Sequence, residues 1–523
     1  ECAEAYNGLG LYGLEIKNFD YAKENFGKAV IKNNQYLEAI NNYGVALLNK
    51  KDFSEAIKSF ESVLEIDANY IRAHSNLGKC YFELGNLGKA KKIFANGLKI
   101  NSSYQPILRN LVDLHLILQN FEEAENIVNS MIYKNPKDAT LYSALGSIYE
   151  KKGDLKKAEK FTRKALDMDS KLYSARSNLA TIRQHYGDHL KARTIYEELI
   201  KEDNENPDAN NNLGNLYLMI GQFSIGWEKY DFRWKVFPLS KATWPIQDRE
   251  LWQGQDGKKL LLWKEQGIGD DILFLGLVME AYKRTRFLTV YTDSRLISLC
   301  ERGMPGVVFK PYKNKIDDED FDYHLPMGSL PRLFRSDIKD FENTVTGYLK
   351  ADKERVRSLR EELGLGDKKV VGISWKSIKS LHTQKKSLSL KEFGTLFKDL
   401  DIVLVNLQYG DVDNEIKEFT KSTGIEVLQC RSVDNREDLD GLAALIELCD
   451  LVISTSNVTV HLAGALGKET WVLLPYVANF WWLLDRTDSI WYPTLKLYRQ
   501  KKFQDWSTIP QDVKRDLERK FFS

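Results

Sequence analysis

Seven copies of one 34-residue unit occupy the first half of this chain, and the register never slips. Stepping from Gly10 by that interval lands on Gly44, Gly78, Val112, Gly146, Ala180 and Gly214. A second small position recurs at Ala22, Ala56, Ala90, Ala124, Ala158 and Ala192. An aromatic recurs at Phe26, Phe60, Phe94, Tyr196 and Tyr230, with Val128 and Thr162 breaking the row. A chain built this way cannot close one core within a unit. Each copy buries its apolar face against its neighbours, so the copies stack.

The period and pattern are those of a tetratricopeptide array, two short helices per copy. The small residues let helices cross closely, and the aromatic is expected to fill the space between neighbouring pairs. Turn residues fall between the helices at Asn49–Asp52, Gly85-Asn86, Gly153-Asp154 and Gly187-Asp188, and Pro136 and Pro207 open new copies. Stacking predicts an α-superhelix with a concave groove over 1–235. An asparagine stands two places before the small position at Asn42, Asn76, Asn110, Asn178 and Asn212. A side-chain amide both donates and accepts, so such a row can hold an extended acceptor chain; it can equally satisfy local backbone groups. The row resembles the one in the repeats of the cytosolic O-GlcNAc transferase, where it grips acceptor peptide. The last copy ends in Gly226-Trp227-Glu228-Lys229-Tyr230 and Arg233-Trp234, aromatics expected to pack on the next domain. A Pro- and Gly-bearing linker is expected over 236–257.

From Lys258 onward the pattern changes. Short apolar runs alternate with helical ones, which predicts parallel sheets with crossover helices. Strands are expected at Lys259–Trp263, Phe287–Tyr291, Val307–Phe309 and Asp322–Pro326, then at Val370–Trp375, Ile402–Gln408, Glu426–Cys430, Leu451–Thr455 and Thr470–Leu474. The first block spans 258–350. A helix over 351–366 separates it from a second block, 367–523, that includes a C-terminal helix. Two doubly wound sheets bind ligands where strand C-termini meet helix N-termini.

Two loops stand out. Gly267-Ile268-Gly269-Asp270-Asp271 follows the first strand; its glycines admit a close ligand, and Asp270 or Asp271 either caps the helix or serves as general base. Ser456-Asn457-Val458-Thr459-Val460-His461 joins a strand to a helix rich in small residues. Hydroxyls, an amide and free N–H groups at a positive helix end suit a diphosphate, or Ser456 and Asn457 simply cap and His461 packs in the core.

Composition narrows the class. The net charge of +1 gives no bulk field for nucleic acid, and no apolar run approaches a membrane span. Five scattered cysteines without metal spacing read as reduced, and with no signal-peptide pattern the chain reads as cytoplasmic.

Taken together, GIGDD after KKLLLWKEQ, GISWKS at Gly372–Ser377, VNLQYGDV at Val405–Val412, DLDGLAALI at Asp438–Ile446, SNVTVHLAGALGK at Ser456–Lys468 and the ending WWLLDRTDSIWYPTLKLYRQ resemble the bacterial tetratricopeptide-repeat glycosyltransferases. The catalytic half of that family resembles heptosyltransferases of the GT-B fold, with two facing Rossmann-like lobes. The resemblance implies transfer of a sugar from a nucleotide-diphosphate sugar to a hydroxyl of a protein acceptor recruited by the repeats. It places the base on Asp270, with Asp271 as the alternative. It places the donor against Gly267, Gly269, Ser374, Lys376, Gln408, Tyr409, Ser456, Asn457, Thr459 and His461. Trp481, Trp482, Asp485 and Arg486 are sugar or cleft contacts, or a tryptophan cap. Ser-Asn stands where many heptosyltransferases have Asp-Thr. The expected chemistry is inverting and metal-independent, with no cofactor beyond the nucleotide sugar. Flagellin or another surface protein is the acceptor the family suggests, and the first repeat, Tyr6–Gly27, is a candidate contact for a homo-oligomer. The alternatives are a transferase for a lipid-linked or saccharide acceptor, and a non-catalytic tetratricopeptide scaffold.

Overall fold

A computed structural model describes residues 2–236, 244–246, 249–316, 320–377, 387–397, 400–503 and 505–522. The contacts divide the chain into two units: Glu1–Asn178 with Trp234–Thr243, and Leu179–Arg233 with Trp244–Ser523. The boundary falls inside the repeats, because the last copies belong with the α/β half. Part of the expected linker, 237–243 and 247–248, lies outside the described residues.

The first unit is helical pairs, beginning with Ala3–Glu15 and Phe19–Lys32 and running through Ala139–Lys152 and Leu155–Met168. The side chains of Asn18, Asn86 and Asp154 each accept from the N–H three residues on, which starts the second helix of the pair. The repeated aromatic shares a core with the next pair, as expected: Phe26 clusters with Ala46, Phe60 with Ala73 and Leu77, and Phe94 with Ile107 and Leu111. It also packs inside its own pair: a Cβ at Gly10, Gly44 or Gly78 would strike the ring of Phe26, Phe60 or Phe94. Where Thr162 replaces the aromatic, it meets Gly146 in the same way. The small residue and the ring are thus two halves of one contact, sixteen positions apart.

Three asparagines of the row bond the preceding copy. Asn42 Nδ2 donates to Asn7 Oδ1 at 3.0 Å, Asn76 Nδ2 to Asn41 Oδ1 at 3.1 Å, and Asn178 Nδ2 to the Ser143 carbonyl at 2.9 Å. Each bond spans 35 residues, back to the preceding copy. These three amides brace one repeat on the last; Asn110 and Asn212 are half-buried.

The interhelix turn holds one left-handed residue per copy, again at the 34-residue step. Glycine fills it at Gly85, Gly153, Gly187 and Gly221, but Lys17, Lys51 and Gln119 occupy it at φ of +55°, +63° and +60°. A side chain in that region costs about 1 kcal/mol that glycine avoids.

The second unit contains two parallel sheets. The first comprises β1 (Lys259–Trp263), β2 (Phe287–Thr292), β3 (Val308–Pro311) and β4 (Tyr323–Pro326), in the order β3-β2-β1-β4. The second comprises β5 (Val370–Ser374), β6 (Val403–Asn406), β7 (Val427–Leu428), β8 (Leu451–Thr455), β9 (Thr470–Leu474) and β10 (Leu495–Arg499), in the order β10-β9-β8-β5-β6-β7. Its strand β10 was not among the expected strands. The helix Lys353–Glu362 connects the sheets and Ile509–Phe522 closes the chain. This is a tetratricopeptide array followed by an α/β half of the Rossmann-like, GT-B type.

Strands buried on both faces read as continuous apolar runs. In the second sheet Val370, Val405, Val452 and Val472 face one core, while Val371, Leu404, Ile453 and Leu473 face another beneath Val513 and Leu517 of the closing helix. The first of these cores is shared. It also takes Leu260, Leu262, Val290 and Leu325 of the first sheet, and Leu218, Phe223, Trp227 and Tyr230 of the last repeat. Trp227 stands edge-on to Phe480 and Trp491 and donates its Nε1–H to the Arg335 carbonyl at 2.7 Å.

Two predictions follow from these contacts. Replacing Lys51 and Gln119 by glycine is expected to stabilise the protein by roughly 0.5–1 kcal/mol each, read by thermal or denaturant unfolding. A fragment of residues 179–523 is expected to unfold cooperatively, whereas one of residues 244–523 exposes the Trp227 socket and aggregates; equal behaviour of the two would contradict the shared core.

Candidate active site

In each sheet the strand order reverses at one point, and the crevice beyond the strand C-termini there is the ligand-binding place of such folds. In the second sheet the reversal lies between β5 and β8. The loop after β5 carries Ser374 to Ser377, and the loop after β8 carries Ser456 to His461. In the first sheet the loop after β1 carries Gly267 to Asp271 into the helix Ile268–Leu275. That helix packs on the helix Val458–Leu466. At the contact, a Cβ on Gly269 would sit 3.1 Å from His461 Cδ2. The two loops singled out in the sequence therefore meet, one from each sheet.

The two aspartates have different surroundings. Asp270 is half-buried, and its Oδ2 accepts from the Gly267 N–H at 3.2 Å, capping its own helix. Its charge bears on Tyr230, Glu265 and Tyr492, which come from the last repeat, the first sheet and the second lobe. Asp271 lies behind it, its side chain 0% exposed. Its Oδ2 accepts from Thr292 Oγ1 at 2.7 Å and Asp293 N–H at 3.1 Å, with Lys264 Nζ at 3.9 Å, while Oδ1 has no partner. Burial pushes this carboxyl up to about 6, against the pull of Lys264. Of the pair, only Asp270 retains exposed surface.

On the other side, most of the expected donor-binding residues engage one another. Gln408 Oε1 accepts from Ser374 Oγ at 3.0 Å, Trp375 N–H at 3.0 Å and Lys376 N–H at 2.9 Å. Asn457 caps its helix through the Thr459 N–H at 3.0 Å and donates to Ser374 Oγ at 2.7 Å. Thr459 Oγ1 donates to the Leu407 carbonyl at 3.4 Å. Ser374, Gln408, Asn457 and Thr459 are all buried. They clamp the three loops of the switch point in register. Lys376, Tyr409 and Ser456 remain half-exposed. Lys376 Nζ pairs with Glu415 Oε2 at 2.5 Å, and Ser456 Oγ accepts from Trp482 Nε1 at 2.9 Å.

His461 occupies a packed aromatic setting, as in the second of its two readings. It is 4% exposed, stacks on Trp482 at 5.7 Å, meets Trp481 and Tyr492 edge-on, and shares a 3.0 Å hydrogen bond between Nδ1 and the Tyr492 hydroxyl. Trp481 and Trp482 are likewise buried as a cap.

Sequence reasoning missed one group entirely. Glu265, between β1 and the glycine loop, forms a forked ion pair with Arg233 at 3.0 Å, and both side chains are 3% exposed or less. Arg233 also donates to Ser329 Oγ at 2.8 Å, and Gln266 Nε2 donates to the Tyr230 hydroxyl at 2.7 Å. Gly328 is required here, because any Cβ would collide with Glu265 Oε1. The signal was a carboxylate two residues before GIGDD and an arginine in the turn that follows the last repeat helix.

Among the described residues no group of three or more His, Cys, Asp or Glu is placed to hold a metal, and no helix is long and apolar enough to cross a membrane. The five cysteines are free, and burial pushes the Cys80 and Cys449 thiols up to about 12.

Comparison with known proteins supports the array. Residues 47–101 and 139–172 match tetratricopeptide-repeat families. The chain is 32% identical over 315 residues to Protein FlbA of Caulobacter vibrioides, covering 56% of this chain and 52% of that one. The chain thus spans about half the length of this curated relative. Among solved structures, a tetratricopeptide repeat protein from Parabacteroides merdae is similar at 18% identity and a TM-score of 0.39, covering 46% of this chain and 94% of its own. The MamA protein is similar at 21% identity and a TM-score of 0.28, covering 32% and 92%. Tetratricopeptide repeats imply a protein partner.

The raised Asp271 carboxyl has a signed consequence. A carboxyl held above its usual value near 4 stabilises the fold below that value and loses the contribution as pH rises through about 6. Asp271→Asn removes the titration while leaving an oxygen for the Asp293 N–H. Its unfolding midpoint is expected to gain on the wild type between about pH 4 and pH 7; parallel curves would show that Asp271 is not held as described.

Proposed function

We propose that this chain is a glycosyltransferase that moves a sugar from a nucleotide-diphosphate sugar to a hydroxyl of a protein recruited by the repeats. The observation that carries the reading is the meeting of the Gly267–Asp271 loop with the Ser456–His461 loop at the sheet reversal. One loop presents a half-exposed carboxylate, and the other presents a helix N-terminus beside a lysine.

The chemistry then divides between the two loops. The acceptor hydroxyl gives its proton to Asp270 as its oxygen attacks the anomeric carbon. The bond from that carbon to the phosphate oxygen breaks, and its electron pair leaves with the nucleoside diphosphate. Lys376, moving from Glu415 to the phosphates, and the N-terminus of Val458–Leu466 stabilise the developing charge. Attack opposite the leaving group inverts the centre, and the reaction needs no metal. The buried quartet Ser374, Gln408, Asn457 and Thr459 supports this by position, because clamped loops lose little order when ligand binds. Flagellin or another surface protein is the acceptor that the family resemblance suggests, and the cytoplasm the compartment.

The test begins with thermal stability against UDP-, GDP-, CMP- and dTDP-sugars, with and without EDTA. One donor is expected to raise the unfolding midpoint, since a ligand of the folded state stabilises by mass action. With that donor, Asp270→Asn is expected to lose roughly a hundredfold or more in turnover while keeping donor affinity. Lys376→Met is expected to lose affinity as well. Donor binding without transfer to any protein would favour a lipid-linked or saccharide acceptor. Absence of donor binding would leave the scaffold reading, and loss of turnover in EDTA would overturn metal independence.

A further inference from the structure

A second cavity, of about 730 Å³, opens in the same unit, at the C-terminal ends of β9 and β10. One wall is the interhelix turn of a repeat, Gly187 and His189. The others carry Tyr476, Arg486, Arg499 and Gln500. Across the described residues, buried polar atoms without a hydrogen-bond partner are few, and five of them belong to side chains of this one cavity: His189 Nδ1, Arg486 Nε, Arg499 Nε, Arg499 Nη1 and Gln500 Nε2. Such groups are normally satisfied, and their concentration in one place calls for a missing partner.

Four of the five belong to arginine or amide nitrogens that can only donate. Arg499 spends Nη2 on the Trp482 and Leu483 carbonyls, at 3.0 and 2.7 Å, leaving its other two nitrogens without acceptors. Its charge cannot be discharged by losing a proton; the Asp485 carboxylate acts on it through space, yet no acceptor bonds these two nitrogens. Gln500 is 2% exposed; its Oε1 accepts from the Tyr476 N–H at 3.1 Å, which turns Nε2 away unpaired. Arg486, Lys496, Arg499, Lys501 and Arg515 line the cavity against Asp485, Asp512 and Asp516, and with Arg486 paired to Asp488 an excess of one positive charge remains. Asp516 is already taken by Lys496 at 2.7 Å and the Tyr498 hydroxyl, and Asp512 by Arg515 at 3.0 Å. The rim is strained besides: Leu483 and Asp485, neither a glycine, sit at φ of +47° and +51°. Strain of this kind is kept at ligand clamps.

We propose that this cavity is an oxyanion subsite and that it takes an acidic side chain of the acceptor polypeptide. The assignment to an acceptor rests on the transferase reading. Trp482 is the partition: its ring stacks on His461 of the candidate active site, while its carbonyl holds Arg499. The cavity lies at β9 and β10, one and two strands beyond β8, roughly 5–10 Å along the sheet edge from that strand of the switch point. That places it beside the donor crevice and against a repeat, where an acceptor chain would pass. The subsite would select hydroxyls that have a carboxylate nearby in the acceptor.

The full chain is titrated with fluorescein-labelled hexaglutamate and, as control, hexaglutamine, following anisotropy. Hexaglutamate is expected to bind, hexaglutamine not to bind, and Arg499→Gln and Arg486→Gln each to weaken binding roughly tenfold. Should Arg499→Gln disturb the Leu483 turn, Arg486→Gln decides, because Arg486 otherwise bonds only Asp488 at the surface. No binding of hexaglutamate, or equal binding by wild type and both variants, overturns the proposal. Stabilisation by inorganic phosphate that is lost in Arg499→Gln, without hexaglutamate binding, overturns the acceptor assignment in favour of a small phosphorylated ligand. Nucleotide-sugar stabilisation is measured on the wild type in parallel. Its presence while the peptide fails sinks only the subsite, whereas its absence from the wild type sinks the transferase reading.

Discussion

The burial of the last repeat in the core of the α/β half is the constraint from which the rest of the second unit follows. Trp227 fills a socket made by Phe480 and Trp491, and Leu218 and Phe223 belong to the same core as strands from both sheets. The first sheet has only four strands, and α/β sheets need cover on both faces. The repeat helix supplies part of that cover. A terminal repeat ordinarily needs a polar capping face; here an apolar one is possible because a folded domain receives it.

The same junction carries a buried charge pair into the candidate site. Arg233 and Glu265 are both desolvated, so either alone would be an uncompensated charge costing several kcal/mol. Together they tie the last repeat to the residue two before the glycine loop. Glu265 is raised by burial even against its arginine, because removal from water outweighs the nearby cation. Gly328 is the geometric condition for this pair, and Ser329 completes it.

Within the site, exposed and enclosed groups have separated along the sequence of each loop. In Asp270-Asp271 the first carboxylate keeps exposed surface and the second is fully enclosed. In Ser456-Asn457 the second is the cap and the buried clamp, and the first stays half-exposed. Adjacent residues at a strand-to-helix turn point in different directions, so a motif of suitable residue types always contains both kinds. Residue type alone does not say which is which.

Much of the architecture was legible. The 34-residue step depends on local spacing, and strands such as β5, β8 and β9 are apolar runs whose burial on both faces leaves a plain trace. β10 was not, because Leu495-Lys496-Leu497-Tyr498-Arg499 is a short alternating edge strand following irregular chain, and its identity depends on β9 beside it. The asparagine row was legible as a pattern but not as a brace, since its partners lie 35 residues back. The repeat period, the two loop motifs and the reversal from helical to alternating pattern were determined by the sequence alone, because each rests on spacing along the chain. Which carboxylate is enclosed, where the repeats join the α/β half, and which donors are left unpaired around Arg499 were decided only by tertiary structure. Burial and hydrogen-bond satisfaction are properties of neighbours brought together from distant positions.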